Sequence, residues 1–247
     1  MIRENREFLK DTLRLTYDFK QTDQNRGIKS PTIQKPLKNG QKIIELPKKN
    51  LYSPSGNKDL VSAILYRESN RKYSLEPLTL AEISFLLWAT QGLRGSLHNG
   101  HAFRVVPSAG CRHSFETYIA AIHISGLKQG IYRYLPIEHG IVLEKEVENL
   151  SEKVVQATLG QSFAGEAGAV FIWVCIPYRM EWRYGPAAHR VIAFDAGHIC
   201  QNLYLAVQAI AAGTCAIAAY NQSLMDELIE VDGEDEFTIY LSPVGKL

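Results

Sequence analysis

Residues 186–213 read PAAHRVIAFDAGHICQNLYLAVQAIAAG. After Pro186 the stretch contains no proline and is rich in alanine, so it predicts one long helix. Proline suits the first helical turn, where its missing N–H costs nothing, and Gly213 is expected to close the far end. The second half, Leu203 to Ala212, is apolar on nearly every side, which predicts burial almost all round. The whole run Leu203 to Tyr220 approaches membrane-spanning length. Gln208, Gly213 and Thr214 interrupt it and no basic flanks are present, so it reads as a buried helix followed by a buried strand, Thr214 to Ala219.

A helix buried on all sides needs layers around it, and the flanking sequence supplies them. Glu116 to Ile124 and Gly130 to Leu135 read as a β-hairpin about Ser125-Gly126-Leu127-Lys128, with Ile141 to Lys145 as a third strand. Ala169 to Ile176 is a continuous apolar run, expected for a strand covered on both faces. Phe237 to Leu241 is a last strand. Leu150 to Leu159 and Ser223 to Glu230 read as helices. Thr79 with Glu82 three residues on forms a capping box, Leu78 and Ile83 form the staple outside it, and the helix runs to Gly92. Asp59 to Tyr66 carries Leu60, Ile64 and Leu65 at helical spacing. Strands mixed with helices and an antiparallel hairpin give an α+β class.

The N-terminal part differs in character. Glu4 to Phe19 reads as a short helix with Phe8, Leu9, Leu13 and Tyr17 on one side. Gln21 to Gly56 holds Pro31, Pro36, Pro47 and Pro54 among many Lys and Asn, the composition of an irregular arm lying over a surface or a partner. The division expected is an extension over 1–57 and a folded unit over 58–247.

At 247 residues, 46% apolar and 21% charged, the chain has ample material for a core. A net charge of +1 gives no global attraction to nucleic acid or anionic membrane. The four cysteines, Cys111, Cys175, Cys200 and Cys215, form no C-x-x-C pair, so neither a zinc site nor a disulfide scaffold is expected. Met1 to Lys20 lacks a continuous hydrophobic segment and reads as neither a signal nor a transit peptide. The expectation is a soluble, cytoplasmic protein.

Five groups of residues carry potential chemistry. Arg67-Glu68-Ser69-Asn70-Arg71 follows a helix and places two guanidinium forks and a hydroxyl within five residues, enough to clamp a phosphate; read alone, it is also an ordinary solvated loop. Pro107-Ser108-Ala109-Gly110 is a small-residue turn that lets backbone N–H groups approach a flat ligand. Trp182-Arg183-Tyr184-Gly185 stands before the long helix, where Tyr184 can move a proton and Arg183 can tune it, or both can simply cap the helix. Asp195 and His198 share a helix face and can pair; as metal ligands they lack companions. The Ala-Gly run from Ala209 to Tyr220 suits close packing against a ring, or against core.

In order and spacing these groups resemble the nitroreductase superfamily, and within it the SagB-type dehydrogenases, which include azoline oxidases of modified peptides. The resemblance runs from about Asp59 to the C-terminus. It rests on Arg67-x-Ser69-x-Arg71, Leu87-Trp88-Ala89-Thr90-Gln91-Gly92, Pro107-Ser108-Ala109-Gly110, Gly130-Ile131-Tyr132, Asp195-Ala196-Gly197-His198 with Gln201-Asn202-Leu203, and Pro243-Val244-Gly245-Lys246.

The resemblance implies a nitroreductase-like fold, with a mostly antiparallel central sheet flanked by helices and a long buried helix. It also implies an FMN-bound homodimer with flavin at the subunit interface. Arg67, Glu68 and Ser69 would then lie at the phosphate and ribityl chain, and Arg71 at the pyrimidine edge, where a cation favours negative charge on the ring. Pro107, Ser108, Ala109 and Gly110 would line the ring from the partner subunit, Ala218 and Ala219 would present backbone to the reactive nitrogen, and Lys246 would meet the phosphate. Where azoline oxidases carry a Lys-Tyr pair, this chain has Arg183-Tyr184. An arginine stays protonated and cannot act as a base, so Tyr184 is left as the proton carrier. The implied activity is ping-pong hydride transfer to and from FMN on a small-molecule or modified-peptide substrate. NAD(P)H-dependent reduction of nitro or quinone compounds is the alternative. A non-catalytic flavin- or peptide-binding partner in a biosynthetic complex is a third reading.

Overall fold

Seven strands form one antiparallel sheet in the computed structural model, which describes residues 2–48, 58–97 and 102–247. They are β1 (Ile43–Glu45), β2 (Phe115–Ala121), β3 (Gly130–Leu135), β4 (Gly140–Glu146), β5 (Ala169–Cys175), β6 (Ala212–Thr214) and β7 (Phe237–Lys246). Their order across the sheet is β1-β4-β3-β2-β5-β7-β6, and each neighbouring pair runs antiparallel. The helices are α1 (Ile2–Glu7), α2 (Leu60–Tyr66), α3 (Leu80–Gln91), α4 (Leu150–Ala157), α5 (Ser162–Gly165), α6 (Tyr178–Tyr184), α7 (Ala188–Ala206) and α8 (Gln222–Ile229). The class is α+β, as the sequence pattern requires.

The central strand β5 explains its unbroken apolar run. Side chains alternate across a sheet. Phe171, Trp173 and Cys175 join the core under α3 and α7, while Val170, Ile172 and Val174 join the second core under α4 and α8. Both faces of β5 are covered, so neither parity of residue is polar. The α3 capping box forms as expected. Thr79 Oγ1 accepts the Glu82 N–H, Glu82 Oε2 accepts the Thr79 N–H, and Leu78 and Ile83 are buried outside it.

The long helix is present with different ends. A 3-10 turn at Gly185–Ala187 holds Pro186, α7 follows, and a second 3-10 turn covers Val207–Ile210. The stop is Ala211 in the left-handed region (φ 50), not Gly213, which lies inside β6. Burial is one-sided: Leu203, Ala206, Val207 and Ile210 are buried, whereas Tyr204, Leu205, Gln208 and Ala209 are half-buried. The strand expected over Thr214 to Ala219 is confined to Ala212–Thr214, with one further bridge from Ile217 to Leu241. The last strand is longer than expected and reaches Lys246.

The N-terminal stretch also departs from expectation. Glu4 to Phe19 is not one helix: α1 ends at Glu7 and a 3-10 turn occupies Thr12–Leu15, with Phe8, Leu9 and Leu13 exposed. The stretch expected to be irregular supplies the edge strand β1, which pairs with β4 through Ile44–Ile141; its end, 49–57, lies outside the described residues.

The described part of the arm is tied to its own chain by buried charge. Glu116 on β2, Arg133 on β3 and Glu144 on β4 share one sheet face and are almost fully buried. Glu116 Oε1 accepts from Arg179 Nη2 at 2.5 Å and from the Lys35 N–H at 2.7 Å. Arg133 Nε meets Glu144 Oε1 at 2.7 Å, and its terminal nitrogens donate to the carbonyls of Lys35 (2.8 Å) and Pro36 (3.0 Å). Arg104, 4% exposed, donates to Gln91 Oε1 and to the carbonyls of Phe115 and Ile33. Buried guanidiniums need every donor satisfied, and arm carbonyls meet part of that need.

Candidate functional site

The Arg67–Arg71 loop leaves the end of α2 and lies against β6 and β7. Asn70 N–H donates to Thr214 O at 3.0 Å, and Tyr73 Oη donates to Asn70 O at 3.0 Å. Glycine makes the approach possible. A Cβ on Gly213 would stand 2.6 Å from the Asn70 side chain, and one on Gly245 would stand 2.6 Å from the Tyr73 ring. Tyr204 on α7 organises the front of the loop. Its hydroxyl accepts the Ala216 N–H at 2.9 Å and bonds Ser69 Oγ at 3.0 Å, while the Arg67 guanidinium lies 5.4 Å from its ring centroid. Arg71 lies 5.8 Å from the Phe163 ring on α5, and Gln161, just before that helix, donates to Ala219 O at 2.8 Å. Arg67, Ser69, Arg71 and the exposed Ala218 and Ala219 therefore border one region. Among the described residues neither Arg67 nor Arg71 has a carboxylate partner.

Two expected members sit differently. Glu68 Oε1 accepts from Asn70 Nδ2 at 3.0 Å and so braces the loop. Lys246 is 8% exposed, and its Nζ donates to Glu82 Oε1 at 2.8 Å and Ile210 O at 2.7 Å, so its charge is matched within the chain.

The Pro107–Gly110 turn forms a second cluster. Ser108 Oγ accepts the His113 N–H at 2.9 Å, and Ala109 N–H donates to Asp195 Oδ1 on α7 at 3.3 Å. Burial raises the Asp195 carboxyl above its usual range, opposed by hydrogen bonds from Ser108 and Ala109. His198 Nδ1 stands 4.0 Å from Asp195 Oδ1. Gly110 adopts φ 57, and a Cβ there would meet Tyr184 Oη at 2.6 Å and Arg183 Nε at 2.7 Å. The turn and the Arg183–Tyr184 pair are thus packed together, with the Arg183 guanidinium 5.7 Å from the Tyr184 ring. The arm fixes this end of α6. Gln24 N–H donates to Trp182 O and Trp182 Nε1 to Ile28 O, both at 2.8 Å, and Arg112 stacks 4.7 Å from the Trp182 ring.

Within one chain the two clusters remain apart. They grip α7 at Asp195 and at Tyr204, nine residues or about 13 Å along the axis. Tyr204, Phe163, Gln161 and Trp182's arm contacts were not singled out by sequence. A tyrosine inside an apolar run reads as core. The phenol of a half-buried tyrosine must nonetheless find a partner, and that is the available signal.

A seven-stranded antiparallel sheet with a long helix across it, and an arginine-bearing loop against its edge, define the nitroreductase fold. A crystal structure of a nitroreductase-like protein from Ralstonia eutropha JMP134 superposes with a TM-score of 0.67 at 25% identity, covering 88% of this chain and 93% of that one. The signature of the nitroreductase family matches residues 64–246, and the chain belongs to that family. A protein of Methanocaldococcus jannaschii named as a nitroreductase, MJ1384, is 31% identical over 189 residues, which are 76% of this chain and 90% of that protein. The trifolitoxin-processing protein TfxB of Rhizobium leguminosarum bv. trifolii is 30% identical over 137 residues, 53% of this chain and 36% of TfxB. Members of the family are generally FMN-dependent oxidoreductases. No helix among the described residues is long and apolar enough to cross a membrane.

Proposed function

We propose that the protein is an FMN-dependent oxidoreductase acting as a homodimer, in which the Arg67–Arg71 loop of one subunit and the Pro107–Gly110 turn of the other enclose the cofactor. The observation that carries this reading is the pair of guanidiniums, Arg67 and Arg71, held over aromatic rings without a carboxylate partner among the described residues. Such forks suit a phosphate and an electron-rich ring edge. The exposed apolar face of α2 supports the dimer: Leu60, Val61, Ile64, Leu65 and Tyr66 are each more than half exposed, and Phe194 on α7 is half exposed. A run of this kind suits a surface that a second copy would cover, and an interface there would offset the separation of the two clusters.

FMN, when bound, supplies hydride transfer to and from its ring in a ping-pong cycle. The chain's own residues do the rest. Arg67 and Ser69 hold the phosphate and ribityl chain, pre-aligned by Tyr204. Arg71 places positive charge at the pyrimidine edge. Ala218 and Ala219 offer backbone beside the ring, and Pro107, Ser108, Ala109 and Gly110 form its small-residue floor. Lys246, committed to Glu82, anchors the 3-10 turn that follows α7 and has one donor left for a phosphate. Tyr184 moves the substrate proton, and Arg183 remains cationic beside it.

Kinship with a trifolitoxin-processing protein supports a SagB-type dehydrogenase working on a small molecule or modified peptide. Kinship with MJ1384 favours a second reading, NAD(P)H-dependent reduction of nitro or quinone compounds. The visible spectrum of the FMN-loaded protein separates them. Rapid bleaching by NADH or NADPH establishes the reductase. A flavin that resists both, but is reduced by a heterocycle-bearing peptide, establishes the dehydrogenase. Failure to take up FMN at all removes both.

A further inference from the structure

Behind the Pro107–Gly110 turn lies a cavity of about 160 Å³, room for about five waters, lined by Arg94, Phe103, Arg104, Val106, Ser108, Cys111 and His113 together with Pro107. It sits where the Leu93–Arg104 bridge meets the turn. Its lining holds two guanidiniums and no carboxylate. Arg104 is buried, its terminal nitrogens donate only to neutral acceptors, and its Nε has no acceptor. Glu116, whose charge favours the cationic form of Arg104, is already bonded to Arg179 and the Lys35 N–H. Arg94 is exposed and rests against the Phe103 ring at 6.0 Å, with no ion-pair partner among the described residues.

Burial and then Arg104 and Arg112 push His113 down to about 3, so its ring is neutral at physiological pH and adds no competing charge. Burial lowers Arg104 to about 10, which leaves it cationic at neutral pH. A buried cation that bonds only neutral acceptors, beside a cavity of this size, is better stabilised when an anion shares the space.

We propose that this cavity is a subsite for a small oxyanion, a carboxylate or phosphoryl group, carried by the substrate next to the part presented at the Pro107–Gly110 turn. Arg94 is the recognition residue at its mouth, and Arg104 supplies fixed positive charge from below. Assignment of the anion to the substrate rests on the flavin reading; its binding in the cavity does not.

Cys111 provides the probe. Its thiol lines the cavity, whereas Cys175, Cys200 and Cys215 are buried elsewhere and serve as internal controls. The alkylation rate of Cys111 by neutral iodoacetamide is followed by peptide mass spectrometry, at constant ionic strength, with acetate, phosphate or acetamide added. Acetate or phosphate is expected to slow Cys111 saturably by about fivefold or more, with acetamide, the neutral isostere of acetate, without effect. Protection by acetate alone points to a carboxylate substrate, and protection by phosphate alone to a phosphate ester. Arg94→Gln, an exposed change that leaves the fold intact, is expected to raise the half-protecting anion concentration about tenfold, the scale of one charge-assisted hydrogen bond. Equal protection by acetate and acetamide, no protection by either anion, or an unchanged response in Arg94→Gln overturns the proposal. The assay needs no flavin, so its failure leaves the FMN reading standing. A protein that shows anion protection but binds no FMN keeps the subsite and loses its link to a flavin substrate.

Discussion

Replacing Tyr204 with phenylalanine removes one oxygen that serves two segments at once. In the native chain that oxygen accepts the Ala216 N–H and holds Ser69 Oγ, while the ring lies beside Arg67. The half-buried Ala216 N–H loses its acceptor, a cost of about 1–3 kcal/mol. Ser69 is exposed and re-bonds to water, so its loss adds little to stability. For a chain of this size about 1 kcal/mol corresponds to a Tm shift of roughly 2–4 °C, giving an expected fall of about 2–12 °C in Tyr204→Phe. The effect on cofactor binding arises separately. Freeing Ser69 costs the preorganisation of one side chain, about 0.5–1.5 kcal/mol, or about 2- to 12-fold in FMN affinity. Because the ring remains, Arg67 keeps its contact; Tyr204→Leu removes that too and is expected to weaken binding further by about 0.5–1 kcal/mol. Thermal denaturation and FMN titration of the three proteins read both quantities. Tyr204→Phe with stability within about 0.5 kcal/mol of wild type and unchanged FMN affinity would refute the role given to this hydroxyl.

Further outcomes follow from the buried charges. Glu116→Gln removes the buried carboxylate that accepts from Arg179 and stands 3.9 Å from Arg133, and a destabilisation of about 3–5 kcal/mol is expected in urea unfolding; a change below about 1 kcal/mol would show that water or another anion serves those cations. His113 has a folded pKa depressed from 6.5 to about 3. The unfolded chain therefore binds a proton that the folded chain refuses between those values, and this contribution to stability is complete above pH 6.5 and lost as the pH falls toward 3. At pH 4.5 the loss is about 2–3 kcal/mol. His113→Asn, tolerated at the residue's φ of 49, should flatten that part of the pH–stability curve, and an unaltered acid slope would contradict the assignment. Trp182→Phe removes the indole N–H donated to Ile28 O and should cost about 1 kcal/mol; proteolysis near Ile28 faster than in wild type is the matching local readout.

What could be read in advance was whatever depends on local chemistry. The α3 capping box, the β2–β3 hairpin and the two-faced burial of β5 follow from short-range patterns that tertiary contacts did not override. The end of α7 did not follow. Gly213 was the obvious stop, yet Ala211 takes the left-handed position, and Gly213 lies where β6 meets Asn70 with no room for a Cβ. The edge strand β1 escaped notice because three residues among prolines and lysines carry no alternation to read. In the site, Arg67, Ser69, Arg71 and the small-residue turn were legible as types at a spacing. Tyr204, Phe163 and the arm's hold on Trp182 were not, since each matters only through a neighbour distant in sequence. Glu116 and Arg133 were visible as charges within apolar strands, the one available hint of the buried network that fixes the arm.

Adding FMN to the purified protein and to Arg67→Ala, with uptake followed by the visible spectrum and by sedimentation, tests the shared-site account most directly. The expected result is saturable binding of FMN to a dimer in equal ratio with chains, and binding weakened about tenfold or more in a folded, dimeric Arg67→Ala. A wild-type protein that takes up no flavin, or an Arg67→Ala variant with undiminished affinity, would contradict it.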